Sequence, residues 1–189
     1  MKKSHKLVVF GSFLILGIMG CTTAEQPATA SKPPENEAAT KESLVERGRY
    51  LVTIQDCNGC HTPWIEGKPD MTRMLSGHPE SNKVSAMPNL PKGWVGQSDD
   101  HTAWAGPWGV SFAANLTPDS SGFGEAWTEE VFINAIRSGK HMGTSRGILP
   151  AMPWEMQAKM TDDDLKAVYA YLRTIPPVKN KVPDPIEPK

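Results

Sequence analysis

Three cysteines in 189 residues are too few for the disulfide framework of a small secreted scaffold. A single Cys-x-x-Cys pair, Cys57 and Cys60, with the remaining histidines scattered, also excludes a four-cysteine zinc site. No strand–helix–strand alternation follows the pair, so it lacks the setting of a dithiol redox site. No apolar run reaches the ~20 residues that a membrane-spanning helix needs. Basic excess is missing too. The formal net charge is −1, and loss of the leader lysines Lys2, Lys3 and Lys6 would take it to −4, which argues against a nucleic-acid partner. No nucleophile–base–orienter arrangement is legible, so hydrolytic or group-transfer catalysis has nothing to rest on.

What is present is Cys57-Asn58-Gly59-Cys60-His61. Residues at i, i+3 and i+4 share a face of a helical turn, so both thiols and the imidazole meet one flat ligand. Cys-x-x-Cys-His is the attachment pattern of a c-type haem. It implies thioethers from Cys57 and Cys60, and proximal iron ligation by His61. The motif occurs once, so one covalent haem c is expected.

The N-terminus reads as an export route. Lys2, Lys3, His5 and Lys6 precede an apolar stretch from Leu7 to Met19. A basic region followed by a short apolar run is the pattern of a signal peptide, here residues 1–20. Ile18-Met19-Gly20-Cys21 resembles a bacterial lipobox, which makes Cys21 the expected lipidation site; the alternative is an ordinary cleaved signal with Cys21 incidental. From Thr22 to about Lys41 the chain has no aromatic or large aliphatic residue. Such a segment buries too little to offset its ordering entropy, so 21–42 is expected to be a flexible tether. The expected location is a bacterial membrane, by lipid anchor, facing the periplasm or the cell surface.

Three helical patterns follow. Ser43 and Glu46 have capping-box spacing, and Leu44, Val45, Leu51 and Val52 share a face running into the haem motif, with Gly48 between them. A mid-helix glycine costs about 1 kcal/mol relative to alanine, so Gly48 suggests a close helix crossing. Thr128 opens the second helix, with Glu129 and Glu130 in its first turn, Phe132, Ala135 and Ile136 as its stripe, and Gly139 at its end. Thr161 is the expected N-cap of the third, where Leu165, Val168, Tyr169 and Leu172 repeat at helical spacing and Pro176-Pro177 stops the run. The tail 177–189 is expected to lie on the surface or stay mobile.

The haem motif, Asn115-Leu116-Thr117-Pro118-Asp119, then Gly124, Trp127 and Thr128, then Ile148-Leu149-Pro150-Ala151-Met152-Pro153-Trp154 together resemble the class I cytochrome c family, in particular bacterial dehydrogenase-associated domains. The resemblance spans about 43–176 and implies an all-α domain of helices around the haem. It also implies that first and last helices cross with Gly48 opposite Tyr169 or Leu172. The family carries its distal ligand in a loop before the last helix, which points to Met152; Pro153 keeps Met152 out of helical conformation. Met142 and a distal His141 are the alternatives. Leu116, Trp127, Phe132, Ile136, Ile148, Leu149 and Trp154 are the expected apolar shell. Trp127 is a candidate donor to a haem propionate, since a buried indole N–H needs a partner; Asn115 and Arg146 are further candidates.

Between His61 and Asn115 lies an insertion, 62–114, rich in Pro, Gly and Trp. Four tryptophans, Trp64, Trp94, Trp104 and Trp108, argue for an ordered flap or a docking surface. His78, His101, Asp99 and Asp100 show no metal-ligand spacing. The expected function is single-electron transfer, without catalysis of its own, between a dehydrogenase and a downstream acceptor or oxidase. A five-coordinate haem that binds a gas or turns over peroxide is the alternative.

Overall fold

The computed structural model describes residues 41–188. The segment read as an export signal, Cys21 and the tether up to residue 40 lie outside the described residues. Helix α1, Lys41–Ile54, begins inside the stretch read as tether. Ser43 therefore lies inside a helical stretch and does not precede it, a correction to the capping-box reading.

The first helix also stops short of the haem motif. Asp56 adopts a left-handed conformation (φ 51°), and Cys57–His61 forms its own short helix, α2. Gly59 accommodates that corner: an added Cβ would lie 2.8 Å from Asp56 Cγ. The break re-aims the turn that carries both thiols.

Helix α3, Glu129–Ser138, is capped by Thr128, whose hydroxyl accepts from the Val131 amide, and ends at Gly139 in left-handed conformation. Its stripe of Phe132, Ala135 and Ile136 is buried, as the sequence pattern predicts. A short helix, α4, Trp154–Gln157, precedes α5, Asp162–Leu172. Thr161 caps α5 by accepting from the Asp164 amide. The helix ends at Leu172, before the prolines are reached, with Arg173 as its C-cap.

Helices α1 and α5 meet at Gly48. A Cβ there would lie 2.6 Å from the Ala167 carbonyl carbon and 2.7 Å from Tyr171 Cβ. The close crossing is as expected, but the opposing residues are Ala167 and Tyr171, one helical face round from Tyr169 and Leu172. The main core gathers Val52, Leu75, Phe123, Phe132, Ile136, Leu165, Leu172 and Ile175. Phe123 is its aromatic hub, tilted on Trp127 (5.1 Å) and edge-on to Phe132 (5.5 Å) and Tyr169 (5.7 Å).

The insertion has one short 3-10 turn, Met71–Arg73, and is otherwise built on strands, which the all-α expectation did not include. A two-stranded hairpin joins β1, Trp64–Ile65, to β2, Lys68–Pro69. A three-stranded antiparallel sheet orders β3, Gly96–Gln97, β4, Ala103–Gly106, and β5, Gly109–Phe112. Its own small core is Ala103, Ala105 and Val110, flanked by Val84, Met87, Leu90, Phe112 and Ile186. Beneath it lies a buried polar network: His78 bonds to Thr102 Oγ1 (2.7 Å) and the Asn82 carbonyl (2.8 Å), and Asp100 accepts from Asn82 (2.6 Å) and Thr102 (2.7 Å).

The tail is held, not loose. Val110 and Ile186 exchange backbone hydrogen bonds of 2.8 and 2.9 Å. Asn180 is buried, its amide donating to the carbonyls of Ser76 (2.7 Å) and His78 (2.9 Å) while its Oδ1 accepts from the Glu80 amide (2.8 Å). The strap thus binds the insertion to the segment around Asn115.

Candidate haem-attachment site

Cys57, Cys60 and His61 lie on the single turn of α2, as their spacing requires. Both thiols are free, and Cys57 packs against the main core. Burial pushes the Cys57 thiol up to about 11, with the Asp56 carboxylate adding to the shift. Cys60 is raised for the same two reasons.

His61 is buried. Burial lowers its pKa, against a hydrogen bond to Ala114 that works the other way. The Ala114 carbonyl lies 2.8 Å from Nδ1. A carbonyl only accepts, so Nδ1 carries the proton and Nε2 keeps its lone pair. That is the orientation a metal-ligating imidazole needs, with the second ring nitrogen fixed by an outer hydrogen bond. The Thr62 hydroxyl donates to Asn58 Oδ1 (2.8 Å) and accepts from the Leu75 amide (2.8 Å), which locks the turn to the core.

These residues fit a haem c: two neutral thiols on one face, a neutral imidazole with its lone pair presented, and an adjoining apolar core. Leu116, Trp127, Phe132 and Ile136 belong to that core or pack on it. Ile148, Leu149 and Trp154 are partly buried and stand apart from it.

Met152 is half-buried in the loop before α4. One end of that loop is fastened where the Ile148 amide donates to the Gly139 carbonyl (2.7 Å). At the other end the Trp154 ring covers Gly139, 2.6 Å from where a Cβ would stand. Met71 and Met156 are exposed, Met87 packs on the small sheet, and the Met160 sulfur receives the Gln55 amide at 3.7 Å. Met142 lies one residue past His141, whose ring meets Trp127 edge-on at 5.4 Å.

Asn115 is bonded within the protein. Its amide donates to the carbonyls of Val178 (2.9 Å) and Asn180 (3.2 Å), and its Oδ1 accepts from the Thr117 amide (3.0 Å) and hydroxyl (2.8 Å). Both amide hydrogens are taken, so no donor is left for a propionate. Trp127 is partly buried, and its carbonyl accepts from the Tyr169 hydroxyl (3.1 Å). Arg146 is exposed and reaches the Gly147 carbonyl. Among the described residues no group of three or more His, Cys, Asp or Glu side chains could hold a metal ion.

Sequence reasoning missed Ala114, Thr62 and Asp56. Ala114 contributes only a backbone oxygen, though its place just before Asn115-Leu116 is a positional clue. Thr62 directly follows the haem motif, and that adjacency is the signal that points to it.

A Cys-x-x-Cys-His turn whose buried imidazole is oriented by a backbone carbonyl defines a protein of covalently bound haem c. The chain belongs to the cytochrome c family, whose profile matches residues 45–176. It is similar to the cytochrome c subunit of alcohol dehydrogenase (quinone) from Gluconobacter oxydans (strain 621H), 30% identical over 147 residues, 76% of this chain and 24% of that protein. The fructose dehydrogenase cytochrome subunit of Gluconobacter japonicus is 29% identical over 80% of this chain and 23% of its own length. The gluconate 2-dehydrogenase cytochrome c subunit of Pantoea cypripedii is 30% identical over 69% of this chain and 23% of its own length. The chain thus spans about a quarter of the length of these curated relatives.

Proposed function

We propose that this protein is a single-haem electron carrier that takes electrons one at a time from a dehydrogenase and passes them to a downstream acceptor. When bound, haem c supplies reversible one-electron chemistry at its iron. Cys57 and Cys60 provide the thioethers, His61 the proximal ligand and Met152 the distal one. His/Met ligation raises the potential above that of a bis-histidine site.

The observation that carries this reading is the His61 Nδ1–Ala114 hydrogen bond within a Cys-x-x-Cys-His turn. The dehydrogenase partner is supported by relatives that are themselves cytochrome subunits of dehydrogenases. Met152 is supported by its fastened loop and by the engagement or exposure of Met71, Met87, Met156 and Met160. Trp127 remains the propionate donor in this proposal.

The domain boundaries belong to the same reading: signal 1–20, lipidated Cys21, a tether, and the haem domain through residue 176 with its strap. Two or more acyl chains give stable anchoring where one is marginal. Among the described residues no helix is long and apolar enough to cross a membrane.

The test is spectroscopic. The ferric protein should show the weak red-region band of methionine-to-iron coordination, and Met152→Ala should abolish it. Voltammetry should give one reversible one-electron wave. Prompt binding of carbon monoxide to the wild-type ferrous protein would overturn the closed-iron reading in favour of a gas-binding or peroxide-consuming haem. For the anchor, labelled fatty acid should appear on the wild type and be absent from Cys21→Ala.

A further inference from the structure

The loop carrying Met152 is fastened to β5 as well as to Gly139. Ser111 is buried in β5, and its hydroxyl donates to the Pro150 carbonyl. Trp108 Nε1 donates to Ser111 Oγ at 3.3 Å. An indole N–H only donates, so it occupies a lone pair of Oγ and leaves the single hydroxyl proton for an acceptor. Two carbonyls are in range, and Trp104, at 3.5 Å, is the farther. Pro150 takes the proton.

This bond matters because of where it falls. Pro150 stands two residues before Met152. Among the described residues, no other hydrogen bond joins residues 149–153 to an element outside the loop and α4. Ile148 and Trp154 fix the ends of the loop against Gly139, while Ser111 fixes its middle.

We propose that Ser111, oriented by Trp108, is a positioning residue for Met152: it pins the Pro150 carbonyl to β5 and thereby keeps the distal ligand on the iron. The insertion 62–114 thus acquires a role as the wall against which the ligand loop is braced. The proposal rests on Met152 being the distal ligand.

The experiment uses the mature haem-loaded protein and its variants. The readout is the rate at which cyanide displaces methionine from the ferric iron, followed as loss of the red-region band, together with the urea midpoint. Ser111→Ala is expected to bind cyanide about tenfold faster, the size of effect one net hydrogen bond sustains. Ser111→Thr, which keeps the hydroxyl, should remain within about twofold of wild type on the same basis. Val110→Ala, a core truncation in the same strand with no hydroxyl to lose, should lower the urea midpoint and leave the rate unchanged. A band that survives Met152→Ala removes the underlying ligand assignment. With that assignment intact, a wild-type cyanide rate in Ser111→Ala overturns the proposal. So does equal acceleration by Ser111→Thr or by Val110→Ala.

Discussion

Asn115 and Asn180, 65 residues apart, are joined by a hydrogen bond of 3.2 Å from the Asn115 side-chain amide to the Asn180 carbonyl. The Asn180 side chain in turn holds Ser76, His78 and Glu80 through three backbone groups. Asn180→Ala strands the Ser76 and His78 carbonyls where water has little access and deprives the part-buried Glu80 amide of its acceptor. The expected loss is about 3 kcal/mol, roughly one per bond. Urea unfolding of the haem-loaded protein measures it. A loss well under about 1 kcal/mol would mean that the strap is merely draped on the surface.

Gly48 sits where α1 crosses α5, with the Ala167 backbone in the space a side chain would fill. Backbone cannot rotate aside as a side chain can. Gly48→Val should therefore cost about 2–3 kcal/mol, in the range of overpacked cores, and Gly48→Ala somewhat less. The urea midpoint reads both. An unchanged midpoint for the valine variant would put the crossing elsewhere.

Thr62 ties the haem-bearing turn to Leu75 and to Asn58 through one hydroxyl. Thr62→Val keeps the shape and removes both bonds, leaving a buried amide without an acceptor. A cost of about 2 kcal/mol is expected by urea unfolding. Haem attachment should persist, since the thiols are untouched.

Asp100 contributes a pH dependence to the insertion. Burial alone would raise its pKa, but donors from Ser98, Thr102 and Asn82 outweigh it and hold the carboxyl below its usual value. A lowered folded-state pKa means stability that is complete above the unfolded value of about 3.9. That stability is lost as the pH falls through the folded value. Wild type and Asp100→Asn should differ by a constant amount from pH 7 to about 5, then converge below about pH 4. Urea midpoints against pH would reveal it. Parallel curves down to the acid limit would show that Asp100 is not protected by its donors.

The parts legible in the sequence are those whose determinants are local. Thr128 and Thr161 cap their helices within three residues, and Gly139 ends one by its own conformation, so α3 and α5 can be placed closely. The haem turn is legible because its chemistry needs fixed spacing. The strands are not. They run two to four residues, and Ala103–Gly106 buries three of its four residues, so no alternation betrays it. The break before α2 depends on Asp56, a residue type that tolerates the left-handed region without announcing it. Asn115 reads as a cofactor contact, although Asn-x-Thr is a local turn pattern, and its amide partners lie in a tail without periodicity. Ser111 gives no signal, since its partner is a carbonyl 39 residues away.

Mass spectrometry of the mature polypeptide after full denaturation addresses the haem attachment itself. Expressed in a host able to mature c-type haem, the protein should retain the mass of one haem, carried on the peptide containing Cys57 and Cys60. It should also give a pyridine haemochrome spectrum typical of two saturated vinyl groups. A denatured chain at its bare polypeptide mass, colourless and inactive in peroxidase staining, would contradict covalent haem at that turn.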